Sequence, residues 1–360
     1  MSKVLVLGAG VNGLTCALRI KEKYPNVDVT IIGSELTPNT TGDGSGGLWL
    51  PYLSSNTPPH LISKWGMESF RKLHEYWVQG GYDVCLMPVY ELYRPGSAGT
   101  IPMGWHNDVY GFRTLDKRHL DYVNDLYSAN YISGTIFTTF KVVTNTLLRR
   151  YMERLRELNV PIIRDSVTSL LDPQYDGYDV VVNCLGLGAR DVVPDERVRP
   201  VRGQIAKVHA PWINYTIQDK STGHYIIPND VECILGGTGQ IDNFNTQVDE
   251  KDSDFILSGC EKIFPSLKNA TLVSQWAGLR PGRDQVRLEA EIINNKLYIH
   301  NYGHGNDNTN SNSWIGYHII IFIYLCSLVP GRPVIVNISL CWLVSITYYD
   351  SNHDHQIKSK

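Results

Sequence analysis

A short β-branched run, Val4 to Leu7, leads straight into Gly8-Ala9-Gly10-Val11-Asn12-Gly13, and this junction constrains the chain more than any other feature. Leu14, Ala17, Leu18 and Lys21 then fall at helical spacing until Tyr24-Pro25, where proline stops the helix. Val4 to Leu7 is a run of the kind buried on both faces of a parallel sheet, and Val27 to Ile32 reads as a second strand. The pattern predicts a βαβ unit. Glycines at the first, third and sixth positions of the turn allow a tight bend and close helix–strand packing. They also let backbone N–H groups approach a pyrophosphate at a helix N-terminus. In this setting the motif points to dinucleotide binding, with a plain tight turn as the alternative. The acidic residue expected at the end of the second strand, where it would hold a ribose hydroxyl, is replaced by Ser34, with Glu35 beside it.

Composition excludes several classes. With 360 residues, 42% hydrophobic and 19% charged, the chain can bury a sizeable core as two domains or one large α/β unit. The formal charge of −3, without any basic run, argues against nucleic acid as a partner. Seven dispersed cysteines without a CxxC predict reduced, mostly buried thiols in an intracellular protein and no metal knuckle. The apolar N-terminal run breaks at Gly8, so no secretion is expected.

Further along, Thr146 to Leu158 reads as an amphipathic helix and Val160 to Arg164 as a strand. Asp179 to Cys184 reads as a buried strand ending in a turn at Gly186 and Gly188. Two Tyr-, Trp-, Pro- and Gly-rich stretches read as insertions forming one cap. The expected division is a discontinuous cofactor domain over 1–53, 137–190 and 283–305, a substrate domain over 54–136 and 191–282, and an atypical tail over 306–360. In that tail Ile315 to Val329 and Val334 to Tyr349 are apolar runs of 15 and 16 residues, short of the roughly 20 that a spanning helix needs.

Several segments carry candidate chemistry. Thr37 to Trp49 crowds hydroxyl and glycine residues into a loop that either wraps a cofactor or is a flexible surface loop. Arg280, before Pro281 at a strand end, offers a permanent planar fork suited to a carboxylate, with a structural arginine as the plain alternative. Tyr225 could present its hydroxyl to a ligand or be a core tyrosine. His300 and His304 are four apart, but the intervening glycine forbids the helix a metal pair would need, so a glycine turn against a cofactor is expected and no metal.

Taken in order, these segments resemble the D-amino-acid oxidase and D-aspartate oxidase family of FAD flavoproteins. The likeness rests on VLVLGAGVNGL at 4–14, LTPNTTGDGSGGLWLPYL at 36–53, YDVVVNCLGLGAR at 178–190 and VRGQIAKVHAPW at 201–212. It continues with HYIIP at 224–228, LGGTGQ at 235–240, GLRPGRDQVRLE at 278–289 and HNYGHG at 300–305. The resemblance implies an α/β fold, with a Rossmann-like FAD-binding domain and an antiparallel-sheet α+β substrate domain. It implies FAD as cofactor and oxidation of D-amino acids by dioxygen to 2-oxo acids, with ammonia and hydrogen peroxide released. Arg280 becomes the partner of the substrate carboxylate, with Tyr225 helping to hold it, and no side chain need act as a strong base. Cofactor contacts are implied for Gly8, Ala9, Gly10, Val11, Asn12 and Gly13. They are implied as well for Ser34, Thr40, Thr41, Gly42, Gly46, Gly47 and Leu48, and for Val167 and Gly305.

Family members for acidic substrates carry extra arginines where Gln218 and Gly239 stand here. A side-chain carboxylate would lack a cation there, so neutral D-amino acids are expected first and D-aspartate or D-glutamate second. A nicotinamide-dependent dehydrogenase would share the glycine motif but not the Thr/Gly loop or Leu279-Arg280-Pro281. After Gly305 the family pattern stops, and a second expectation follows: an inactive form whose replaced C-terminus impairs FAD binding. Membrane contact by the tail is the less favoured expectation, and a homodimer is compatible with the resemblance. The resemblance implies a peroxisome, although Ile357-Lys358-Ser359-Lys360 is not an SKL-type signal, which leaves the cytoplasm as the alternative.

Overall fold

A computed structural model describes residues 2–51, 56–97, 104–230 and 232–306. The tail beyond Asn306, with its two apolar runs, lies outside the described residues. Among those described, no helix is long and apolar enough to cross a membrane.

The predicted βαβ unit forms as Lys3–Leu7, Val11–Lys23 and Asp28–Gly33. Leu5, Val6 and Leu7 are fully buried, each contributing roughly 1.5–3 kcal/mol. The two strands pair in parallel at the centre of a six-stranded sheet. Val180–Asn183 and then Lys296–Tyr302 extend it on one side and Ile162–Arg164 on the other, all in parallel. Arg287–Ile293 closes one edge antiparallel. Thr144–Glu157 is the expected amphipathic helix, with Leu147, Tyr151 and Leu155 buried against Val11–Lys23.

A ten-stranded sheet forms the second layer. Its centre runs from Thr271–Arg283 through Arg199–His209, Glu232–Gly236 and Tyr225–Asn229 to Thr216–Asp219, and these pairings are antiparallel. Val84–Tyr93, Ser133–Val142 and Tyr110–Thr114 continue it, Gln240–Ile241 pairs with Arg199–His209, and Gly305–Asn306 lies at the other edge. Val84–Tyr93 meets Thr216–Asp219 in parallel, as Gly305–Asn306 meets Gly282–Arg283, so the sheet is mixed rather than purely antiparallel. The boundary expected at 136/137 is displaced. Ser133–Val142 runs whole in this sheet, ten residues paired with Val84–Tyr93, and the chain returns to the smaller sheet's helices only after Val142.

One apolar cluster joins the layers. Val4, Val6, Leu14 and Ile31 pack in the same core as Trp49, Phe70, Phe140, Ile205 and Tyr225. The far face of the large sheet, with Leu92, Ile217, Ile226 and Leu235, packs with Val123 and Tyr127 of helix Lys117–Tyr127 and Ile256 and Cys260 of helix Glu250–Ile263.

Candidate cofactor and substrate site

Each parallel strand of the small sheet delivers its C-terminal end to one cavity of about 530 Å³. Leu7 runs into Gly8 and Gly10, and Asp28–Gly33 into Ser34 and Glu35. Arg164 leads to Ser166 and Val167, Asn183 to the Cys184–Gly188 turn, and Tyr302 to His304 and Gly305. A crevice beyond the carboxyl ends of parallel strands is where open α/β sheets place ligands.

The glycine turn is shaped for close approach. A Cβ on Gly13 would stand 1.8 Å from the Gly8 carbonyl oxygen, so only glycine lets the helix pack on the strand. Gly8 itself has φ +101° and lies against the Cys184 carbonyl. The helix that follows has no side-chain cap at Gly10 and no acid in its first turn, and Gly10, Val11 and Asn12 line the cavity. Leading N–H groups without a side-chain acceptor, at the positive end of a helix dipole, suit a phosphate anion.

The Thr37–Ser45 segment is an organised wall, not a loose surface loop. Asp43 accepts hydrogen bonds from Thr40 N (2.9 Å) and Thr40 Oγ1 (2.6 Å), and from the Thr37 hydroxyl, closing a capping box on the turn Thr41–Gly44. Thr144 Oγ1 donates toward the carbonyls of Asp43 and Ser45, both at 3.2 Å. Thr41 Oγ1 donates to the Leu279 carbonyl at 3.2 Å, tying this wall to the strand that carries Arg280.

Beside the turn after Asn183, a buried polar chain fixes geometry. Leu185 N–H donates to Asn183 Oδ1 (3.2 Å), Asn183 Nδ2 to His300 Nδ1 (3.1 Å), and His300 Nε2 to Glu291 (2.8 Å). Burial, followed by the Arg287 charge, lowers the His300 pKa. Asn301 turns Nδ2 toward Cys16 Sγ at 3.3 Å and accepts from His304 Nε2 at 2.8 Å. Burial pushes the His304 pKa down to about 3, so this cavity-lining ring is neutral near neutral pH.

Of the residues expected at the cofactor, Gly8, Ala9, Gly10, Val11, Asn12, Ser34, Thr40, Thr41, Gly42, Val167 and Gly305 line this cavity, and so does Arg280. Gly13, Gly46, Gly47, Leu48 and Tyr225 lie off its wall. Gly13 is packed against Gly8. A Cβ on Gly46 would stand 3.0 Å from Ile227. Gly47 (φ +73°) abuts the Val142 carbonyl, and Leu48 is wholly buried in a bridge to Lys141, so this part of the loop joins the two layers. Tyr225 is 3% exposed, its ring over Gly236 and Gly237. Arg280, 6% exposed, donates from Nη1 to the Thr238 carbonyl at 2.9 Å, so both side chains bear on the segment Gly236–Thr238.

Sequence reasoning passed over Glu35, Thr144, Leu147, Leu148 and His304 as cavity residues. Glu35 pairs with Arg164 at 3.1 Å on the exposed rim. His304 stood within a glycine turn already expected at a cofactor. Thr144, Leu147 and Leu148 had no signal, because a helix's first turns look alike whether they face core or ligand.

A sequence model described as FAD dependent oxidoreductase matches residues 3–318. The chain belongs to that family. A D-amino acid oxidase of Dugesia ryukyuensis is 36% identical over 315 residues, covering 84% of this chain and 91% of that protein. A D-aspartate oxidase of Homo sapiens is 33% identical, covering 84% and 89%. Among solved structures, a glycine oxidase from Geobacillus kaustophilus superposes with TM-score 0.69 at 16% identity, covering 90% of this chain and 92% of that one. An L-alpha-glycerophosphate oxidase from Mycoplasma pneumoniae, solved with FAD bound, gives 0.65 at 14% identity, covering 85% and 91%. These two likenesses show the fold.

The residues present fit FAD, the cofactor of this family. The Gly8–Gly13 turn and the open helix N-terminus would hold the pyrophosphate, and Ser34 and Val167 would border the nucleoside end. The Thr40–Gly42 wall and Gly305 would flank the rest.

Proposed function

We propose that this protein oxidises D-amino acids to 2-oxo acids, with ammonia and hydrogen peroxide as the other products and dioxygen as the electron acceptor. The observation that carries this reading is one cavity that runs from the glycine turn to a buried arginine on the second sheet. The names of the planarian and human relatives support the substrate class. Bound FAD supplies the two-electron oxidation of the amino acid.

The chain's own contribution is orientation and exclusion of water. Arg280, fixed by the Thr238 carbonyl, presents a planar guanidinium fork suited to the substrate carboxylate. Holding that end limits how Cα can face the cofactor, and selection of one enantiomer requires the amine and side chain to be placed as well. Neutral substrates are favoured. Arg280 is the one Lys or Arg side chain among the described residues lining the cavity. Lys220, 3.4 Å from Gln218 and paired with Glu91 at 3.5 Å, is not among them.

Flavin-band absorbance and peroxide release on D-alanine, D-proline and D-aspartate, with the L-forms as controls, test the proposal. Arg280→Ala should keep the flavin and lose roughly 100-fold or more in kcat/KM, the cost of removing one partner of a buried charge pair. Near-parental kcat/KM in that variant, or a flavin-loaded parent that makes no peroxide, sinks the reading.

A further inference from the structure

The face of the large sheet that carries Arg280 has a feature the cofactor site does not use. Register places Trp276, Gly278 and Arg280 opposite Ile205, Gly203 and Val201, and Ile205 opposite Gly236, which in turn faces Tyr225. Side chains on these positions share one face, because paired residues point the same way and alternate residues repeat. On that face large side chains lie down over glycines. A Cβ on Gly203 would stand 2.3 Å from Arg280 Nη2, 2.4 Å from Cζ and 2.5 Å from Nη1. A Cβ on Gly236 would stand 2.0 Å from Cζ of the Tyr225 ring and 2.3 Å from its hydroxyl oxygen.

We propose that Gly203 is a positioning residue for substrate recognition, and that Gly236 serves Tyr225 in the same way. Bare backbone at these positions lets the guanidinium and the phenol lie flat on the sheet, the guanidinium on the cavity wall where a carboxylate would sit and the phenol off it. This inference rests on the proposed function. Its physical core is a difference in compliance. The atoms that crowd a methyl at Gly203 are the far end of a long, flexible side chain, so the fold yields cheaply by lifting the guanidinium. A lifted guanidinium loses its aim at the carboxylate, which weakens every ligand held through that group, bound substrate and transition state alike. At Gly236 the obstacle is a buried aromatic ring, which yields less readily, so Gly203 gives the cleaner experiment.

The test uses flavin-loaded Gly203→Ala. Its flavin-to-protein ratio should equal the parent's, while KM for D-alanine rises by about tenfold or more with a smaller change in kcat. The Kd of propionate, which is D-alanine without its amine, should rise by the same factor in calorimetry. Gly177→Ala, where an added methyl meets open space, controls for a generic Gly-to-Ala effect and should match the parent. In an Arg280→Ala background the Gly203→Ala change should add no further loss in propionate binding or thermal stability, since the crowded atoms are gone. Parental KM and Kd in Gly203→Ala overturn the proposal, as does an equal effect of that change in both backgrounds, which would mark ordinary sheet packing. Undiminished D-alanine oxidation by Arg280→Ala alone overturns the proposed function and this inference with it.

Discussion

The two sheets bury themselves by different means. In the small one, Lys3–Leu7 and Val180–Asn183 are nearly continuous buried runs, covered on both faces as parallel strands require. In the large one, buried charged residues stand among the apolar ones, and Asp219 and Arg202 are each tied down. Asp219 accepts from Arg94 Nε (2.7 Å), Tyr131 OH (3.1 Å) and the backbone N–H groups of Ser221 and Thr222. Arg202, 1% exposed, donates to Gln240, Gln204 and the carbonyls of Asn245 and Gln247, and pairs with Asp252. The site inherits the difference. Its end at the small sheet, the cofactor half, is built from backbone, glycines and strand ends, whereas its end at the large sheet is built from oriented side chains.

If that contrast is right, injuries to the two regions should differ in kind. The largest effect is expected from Gly13→Val, which forces bulk into a 1.8 Å approach to backbone that cannot move aside. Urea unfolding should show a loss of ~3 kcal/mol or more, and no flavin should copurify. A flavin-loaded, stable Gly13→Val would break the comparison at its base.

Asp252→Ala comes next. It leaves Arg202 buried without its carboxylate, for a loss of about 3 kcal/mol in denaturant titration. Flavin stoichiometry should be unchanged, because the injury lies in the polar interior of the large sheet. Loss of flavin together with stability would mean that the two halves fail as one.

Acid gives the most graded effect, smaller than either substitution for each histidine and each pH unit crossed. Burial lowers the pKa values of His224 in the large sheet and of His300 and His304 at the cofactor crevice. His304 stands at about 3 against an ordinary 6.5, so between those values the unfolded chain binds a proton that the folded chain refuses. Stability should therefore be level above about 6.5 and fall as pH drops below it. The limit is ~1.4 kcal/mol per pH unit for each such histidine. Denaturant titrations across this window should show a shallower slope for His304→Gln, and an unchanged slope would remove that histidine from the argument.

Much of the cofactor half was legible in the sequence. Its determinants are local: glycine spacing, a strand before it and a periodic helix after it all lie within the first 33 residues. The turn at Gly186 and Gly188 was also visible, as was Arg280 before Pro281. Less legible was the loop Gly46–Leu48. These residues looked like cofactor contacts, yet Gly47 and Leu48 pack against Val142 and Lys141 on a strand that the sequence split at the wrong place. Thr144 and Leu147 were hidden because an amphipathic helix shows that a face is covered, not by what.

By itself, then, the sequence determined the βαβ unit, its phosphate-type turn and the residue types available for a carboxylate, since these follow from backbone sterics and short-range periodicity. Only the tertiary structure decided which of them meet. Thr41 reaches the Leu279 carbonyl across 238 residues of chain, and Arg280 rests on a glycine of a neighbouring strand. Such contacts are set by strand register and by the packing of two sheets on one core, and neither leaves a periodic mark along the chain.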